Sequence, residues 1–426
     1  MATDLWFGLL PEHLLLGTLL VLMVLEMSKA PAFLGNALVM LALMAAVVVL
    51  VRQYSQGYAI DLLPEEIRID RFALLAKLVI IGSGLAWAFV FSAQATYKSG
   101  MLLCSCLLGA CVMMDSAGFI PLVLGIEMLS LPAFALMVHG AGASVASEGA
   151  FKYLLLSSIA SALIMFGIAF SYGATGTLSI DAFVQLAMGG SAQGVAATVL
   201  IVSGFLFKAA VFPFHAWAPD AYSSVRVHVT AFLATLVKGA VILGLVRILS
   251  TAPLSSIMVA IVATLGVVSI LYGNTTAIRQ TNFKRLLAYS SIAHAGYMMF
   301  AFVDTTGGRV SDLLWYVVIY ALTVIIACAS FNALCRGEED DLHALDGAFQ
   351  TRPVAALIFG LAMLSLAGLP PLPGFFAKLF VFRSAIASGY LVPAIVAFVG
   401  SFIGAIFYLA IFYRLFATQR SEEKVA

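Results

Sequence analysis

A chain of 426 residues with 63% hydrophobic and 10% charged side chains lies far from the make-up of a soluble domain, in which about 25% of residues are charged. Its formal net charge of +1, with no basic stripe or interleaved aromatic run, excludes a nucleic-acid binder. What is left is a polytopic membrane protein. The five cysteines, Cys104, Cys106, Cys111, Cys328 and Cys335, are odd in number and mostly inside apolar runs, where a free thiol packs as a small hydrophobe.

Apolar runs of spanning length, about 17–25 residues each, follow one another along the chain. The first three are 9–27, 33–51 and 72–92. The first has no basic region before it and no small-residue cleavage site after it, so it reads as a retained helix and not a signal peptide. A polar connection with Asp61, Glu65, Glu66, Arg68 and Asp70 separates the second from the third. Runs 100–114, 119–138 and 151–172 come next, then a weakly polar connection, 173–194.

The stretch 204–222, GFLFKAAVFPFHAWAPDAY, puts Lys208 inside an apolar run and Pro213, His215, Trp217 and Pro219 after it. Pro213 has no backbone donor, so the carbonyl of Ala209 is expected to be free beside Lys208. A charge next to irregular backbone at membrane depth reads as part of an ion path. After it come 229–248, 254–273, 286–303, 313–334, 353–382 and 390–413, for an expected total of about thirteen helices.

A second break, SLAGLPPLPGFFAKLF at 365–380, carries Pro370, Pro371 and Pro373, which free the carbonyls of Leu366, Ala367 and Leu369, with Lys378 following. Lys208 lies five residues before Pro213, and Lys378 five residues after Pro373. If the two helices run in opposite directions, both lysines fall on one side of their breaks, the mark of an inverted repeat. The expected architecture is an all-α polytopic membrane protein with two inverted five-helix repeats, each with a proline-broken helix. The expected divisions are an N-terminal three-helix segment at 1–99, repeats at 100–248 and 254–413, and a short tail at 414–426.

Placement of Lys and Arg favours an outer N-terminus and an inner C-terminus. With that orientation the inner connections and tail hold Lys29, Lys98, Arg226, Arg279, Lys284, Arg285, Arg336, Arg352, Arg414, Arg420 and Lys424, and the outer ones Arg52, Arg68, Arg71, Arg247, Arg309 and Arg383, 11 against 6.

Five charges or potential charges fall near helix centres: Glu127, Lys208, Lys238, His294 and Lys378. Such a row suits proton relay. A buried lysine holds its proton more firmly with a carboxylate near than without one, so changing the distance from Glu127 to Lys208 would load or unload the lysine. Histidine passes protons near neutral pH. The plain alternative, ion pairs that only tie helices together, fits any one of these residues better than all five. Lys77 and Lys152 lie near helix ends and are expected to snorkel, although Lys152 is deep enough to feed the relay. GEEDDLHALD, 337–346, reads as a solvated loop and not a metal site at His343. The sequon at Asn274 falls on the inner side and is discounted.

LGIEMLSLP, FKY near Phe151, FKAAVFPFHAWAPDAY, FLATLVK, QTNFKRLLAYSSIAHAGY and LSLAGLPPLPGFFAKLF together make residues 72–413 resemble the N subunit of bacterial respiratory complex I, proton-translocating NADH:quinone oxidoreductase. The histidine in SSIAHAGY favours the N type over antiporter and hydrogenase relatives. The resemblance implies two inverted five-helix units with broken seventh and twelfth helices. It also implies that Glu127 modulates the first channel, Lys208 binds its proton, Lys238 connects and Lys378 forms the exit of the second channel. This chain would bind no flavin, iron–sulfur cluster or nicotinamide. Quinone reduction in partner subunits would drive it, beside neighbouring antiporter-like subunits in the bacterial inner membrane.

The chain departs from the family after Asp220, with Ser224, Val225, Arg226, Val227 and His228 where a Gly-Ala-Pro-Ala-Pro run is usual. This makes the next helix less kinked and sets Arg226 and His228 near the inner mouth, where, with Lys152 and His215, they are accessory candidates. It also stops at SEEKVA, after the thirteenth expected helix, where many similar chains add a fourteenth. Two other functions compete with the complex I reading: an ion antiporter subunit without redox chemistry, and a silent scaffold.

Overall fold

The computed structural model describes residues 6–139, 145–249, 256–303, 309–335 and 340–417. Arg336, Gly337, Glu338, Glu339, Arg420 and Lys424 of the sequence argument lie outside the described residues, as do most of the expected tail and the junction between the expected repeats. In lipid every backbone donor and acceptor must be met within its own segment, so apolar runs become helices. The first six are α1 Leu10–Met27, α2 Ala32–Ser55, α3 Arg71–Val90, α4 Tyr97–Asp115, α5 Phe119–His139 and α6 Val145–Thr175. Their ends follow local chemistry. Asp70 caps α3 by accepting from the Ala73 amide at 2.8 Å, and Thr96 with Ser99 forms a capping box on α4.

Two connections hold more structure than their polarity suggested. The link between α2 and α3 folds into an antiparallel hairpin, β1 Ile60–Leu63 with β2 Ile67–Ile69, pairing Ile60 with Ile69 and Asp61 with Arg68. A two-stranded hairpin is thus set into a nearly all-helical chain, because alternating isoleucines in that link have a buried side to occupy: Ile69 is fully buried. The 173–194 connection contains α7, Ile180–Met188, which buries Ile180, Phe183 and Val184 on one face. Hairpin and α7 meet at one end of the bundle, where Arg68 bonds Asp61 at 2.8 Å and Asp181 at 3.0 Å.

The helix α8, Ala192–Lys208, ends on the lysine itself, and the chain turns through 209–216 before α9, Trp217–Ser224. Beyond it, α10 spans Val227–Leu249 with a π-helical turn at Leu233–Val237. Then come α11 Ser256–Ala277, α12 Phe283–Met299, α13 Arg309–Cys335, α14 Pro353–Ala367, α15 Pro373–Ala387 and α16 Leu391–Phe416. Among the described residues eleven helices are long and apolar enough to cross a membrane, and the shorter apolar α8 and α14 lead into the two breaks.

Burial sorts these helices. The spanning windows of α10 and of Phe283–Val303 are wholly inside the protein, whereas those of α1, α2 and α6 turn most of their residues outward. A helix apolar all round belongs either in a core or in lipid. The two enclosed helices carry Lys238 and His294, so these groups lie in the centre of the bundle.

Candidate functional site

At the first break, helical spacing puts four side chains around Lys208. Glu127 and Ser130, three residues apart, share a face of α5, and Ser157 and Ser161, four apart, share a face of α6. The Lys208 ammonium donates to Ser130 Oγ at 3.0 Å and to Ser157 Oγ at 2.9 Å. Ser161 donates to Glu127 Oε1 at 2.5 Å, and that oxygen is 3.9 Å from Lys208 Nζ. The pair is unequally covered: the lysine side chain is 4% exposed and the glutamate 38%. Glu127 therefore reaches the outer wall of the bundle, which its apolar sequence neighbours did not suggest. A cavity beside Lys208, also walled by Trp217 and Val237, has about 10 Å³ for a water centre, close to what one water needs. Val237 precedes Lys238 and separates the two lysines.

The expected free carbonyl at Ala209 is not what the ammonium uses. Ala210 takes up a left-handed backbone, φ 57°, and Lys208, as the last residue of α8, turns its head back to the serines on α5 and α6. The break is closed instead by Trp217, whose indole donates to the Phe207 carbonyl at 2.9 Å, and by Ser269, which accepts from the Phe212 amide at 3.0 Å.

In the centre, Lys238 donates to the Ser291 carbonyl at 2.9 Å and to its hydroxyl. The hydroxyls of Tyr222 and Tyr320 are also buried and have no hydrogen-bond partner among the described residues. One helical turn along α12, His294 meets the Tyr316 hydroxyl at 2.9 Å through Nδ1 and the Tyr408 hydroxyl at 3.5 Å through Nε2, with Tyr320 against its ring at 4.8 Å. Tyr408 also contacts Ser290 Oγ at 2.5 Å. Serine and tyrosine hydroxyls thus line the way from Lys238 to His294.

At the second break the lysine does use freed carbonyls. Gly368 ends α14 with φ 84°, and Lys378 on α15 reaches back across the break to the carbonyls of Leu366 at 3.1 Å and Ala367 at 2.8 Å, and to Ser401 Oγ at 2.9 Å. Its ammonium lies 4.7 Å above the Tyr297 ring, a cation–π contact. The Leu369 carbonyl accepts instead from the Leu372 amide at 3.0 Å.

The accessory candidates lie apart from this row. His215 stacks between Phe212 and Tyr272, at 5.2 and 4.5 Å, with Nδ1 unpartnered. The His228 ring packs near Trp87 and Phe91, and Arg226 is exposed at the start of α10. Lys152 is 42% exposed and pairs with Glu148 and Asp220, both at 2.9 Å. Asp220 also meets Arg285 at 3.5 Å. The buried Lys284 bonds the Val225 carbonyl at 2.6 Å and Asp340 at 2.7 Å, contacts that the sequence reading did not single out. His343 sits with Asp346 and Arg414, and among the described residues no group of three or more His, Cys, Asp or Glu could hold a metal. Asn274 is buried, donating to Tyr297 Oη and the Gly400 carbonyl.

Lys77 overturns its expectation. It does not snorkel: its side chain is 0% exposed and its ammonium lies 2.9 Å from Glu12 and 2.9 Å from Asp115. Helix α3 packs against α2, α4 and α13, and Glu12 of α1 and Asp115 of α4 reach the lysine, so its partners come from other helices and not from solvent.

A bundle with two interrupted helices and buried lysines beside each break defines the class of antiporter-type membrane subunits. Residues 116–404 match the family described as NADH:quinone oxidoreductase/Mrp antiporter, TM. An NADH-quinone oxidoreductase subunit N from Pelobacter propionicus is 55% identical over 417 residues, covering 98% of this chain and 90% of that protein. The chain belongs to this family of NADH-quinone oxidoreductase N subunits. Its fold is similar to a chain of respiratory complex I from Thermus thermophilus solved with bound aureothin, with TM-score 0.83 and 30% identity over 96% of this chain and 90% of that one. A chain of the Mrp complex from Dietzia sp. gives TM-score 0.86 at 23% identity, covering 96% and 81%, a likeness of fold alone.

Proposed function

We propose that the chain is a proton-translocating membrane-arm subunit of an NADH:quinone oxidoreductase, passing protons along Glu127, Lys208, Lys238, His294 and Lys378 while partner subunits reduce quinone. The observation that carries this reading is the cradle at the first break. One ammonium is held by two neutral hydroxyls with a carboxylate at 3.9 Å, so a small movement of α5 or α6 changes how firmly the lysine keeps its proton. Protons then leave through the hydroxyl-lined centre toward Lys378. Flavin, iron–sulfur clusters and quinone belong to partner subunits in this reading, and neighbouring antiporter-like subunits cover the exposed side of Glu127.

The same reading makes 100–248 and 254–413 two inverted repeats. Packing of α4 with α5 and of α6 with α8, answered by α11 with α12 and by α13 with α14, supports it. The lysine and arginine placement supports an outer N-terminus and a cytoplasmic C-terminus, and membership of the family supports the bacterial inner membrane.

The test is NADH-driven pumping by the assembled complex in liposomes. Lys208→Ala and Glu127→Ala are expected to lower pumping and coupled quinone reduction by about a hundredfold, the low side of what removing a positioned acid–base group costs. Normal pumping by an assembled Lys208→Ala complex would sink the relay. Isolation of the chain in a complex without redox centres would replace the complex I reading by the antiporter one.

A further inference from the structure

The triad Glu12, Lys77 and Asp115 takes no part in that relay, and its charges do not balance. Lys77 Nζ lies 2.9 Å from both Asp115 oxygens and donates to Oδ2, and it lies 2.9 Å from Glu12 Oε1. Glu12 Oε2 and Asp115 Oδ1 are left buried without a hydrogen bond. All three residues are more than nine-tenths covered.

Among the described residues, one further cation, Arg247 on α10, bears on Asp115 through space. From α10, Arg247 donates through Nε to the Ser116 carbonyl at 2.6 Å, through Nη2 to the Arg68 carbonyl at 3.2 Å, and through Nη1 to Asp70. Asp70 is one-third exposed and caps α3. On α4 the neighbouring titratable group is the buried Cys111 thiol. On α1 the next residue, His13, stacks its ring on Trp6 at 4.6 Å. Glu66 of the hairpin lies over Gly118. Glu12, Asp115 and Asp70 therefore face Lys77 and Arg247, three carboxylates against two cations. An uncompensated buried charge is costly, and a carboxyl group avoids it by taking up a proton. A metal ion is a poor substitute, since the ammonium already occupies the space between the carboxylates.

We propose that Glu12 and Asp115 bind one proton between them around Lys77, a proton-binding site in the N-terminal helices separate from the charges of the two breaks. The pair acts as one titrating unit, so the proton belongs to both residues and not to a chosen one. The site lies next to the relay in sequence, because Asp115 ends α4 and α5, with Glu127 on it, begins at Phe119. It does not depend on the transport reading.

Infrared difference spectra of the complete complex at neutral pH, recorded in H2O and D2O, count the proton through the deuteration-sensitive carbonyl band of a protonated carboxylic acid. Glu12→Gln and Asp115→Asn each leave a balanced ion pair, so each is expected to lose one protonated carboxyl per chain relative to wild type. Lys77→Met leaves two carboxyl groups without a cation and is expected to gain one. Spectra in which both amide variants keep the wild-type number of protonated carboxyls would overturn the proposal. The two amide variants preserve size and shape, so the result does not depend on Lys77→Met assembling.

Discussion

The two breaks use the same parts to opposite ends. In the first, Lys208 terminates its own helix, points away from the break and is held by side chains of two other helices, with an acid in range. In the second, Lys378 stands one turn inside the following helix and points into the break, where two backbone carbonyls, a serine and an aromatic face hold it. Side chains on α5 and α6 can shift with their helices, so the first lysine sits in an adjustable site. Carbonyls at the end of α14 carry the negative end of the helix dipole and move only if the helix does, so the second sits in a fixed one. The difference fits a first site that is loaded and unloaded and a second that only passes the proton on.

Substitutions at three positions test that contrast, the strongest first. At Gly368 a Cβ would come within 2.9 Å of Lys378 Cδ and 3.0 Å of Nζ, on backbone with φ 84°. Gly368→Ala is expected to destabilise the subunit by about 1–2 kcal/mol from left-handed strain alone, seen as a lower melting temperature, and to abolish pumping by moving the ammonium off its carbonyls. Unchanged pumping would mean that the second site is adjustable after all. Ser157→Ala removes one of two hydroxyls from Lys208, about 1.5 kcal/mol for a bond to a charged group and so about tenfold in pumping. Ser157→Thr, which keeps the hydroxyl, should restore most of it. If alanine and threonine behave alike, the hydroxyl does not hold the proton-carrying group. The smallest effect belongs to Ala210, whose φ of 57° costs an alanine about 1–2 kcal/mol. Ala210→Gly relieves this but gains freedom when unfolded, so thermal unfolding should show a rise worth less than about 1 kcal/mol. A clear fall would show that the methyl group packs the break.

Much of this contrast was legible in the chain, and where it was not the reason is physical. Proline chemistry is local, so Pro370 and Pro371 announced the carbonyls of Leu366 and Ala367 that Lys378 uses. The same argument at Pro213 picked Ala209 and missed the outcome, because a left-handed Ala210 redirects the chain and such a conformation has no signal in an alanine. Ser130, Ser157 and Ser161 were visible only as serines in apolar helices. Their spacing from Glu127 and from each other was readable, but which helix faces would meet was not. Lys77 was misjudged because its partners lie 65 and 38 positions away in sequence, and nearness to a helix end says nothing about what covers that end.

The π-helical turn at Leu233–Val237 acts on the helix that follows it as a change of phase. An α-helix advances about 100° per residue, and a π turn admits one residue more than the α-helical count, so everything beyond Val237 is rotated by about that angle relative to Val227–Phe232. Lys238 is the first residue after the shift. Its meeting with Ser291 is therefore set by azimuth and not by depth: removing one residue from this turn would leave the lysine at nearly the same height in the bundle but facing another helix.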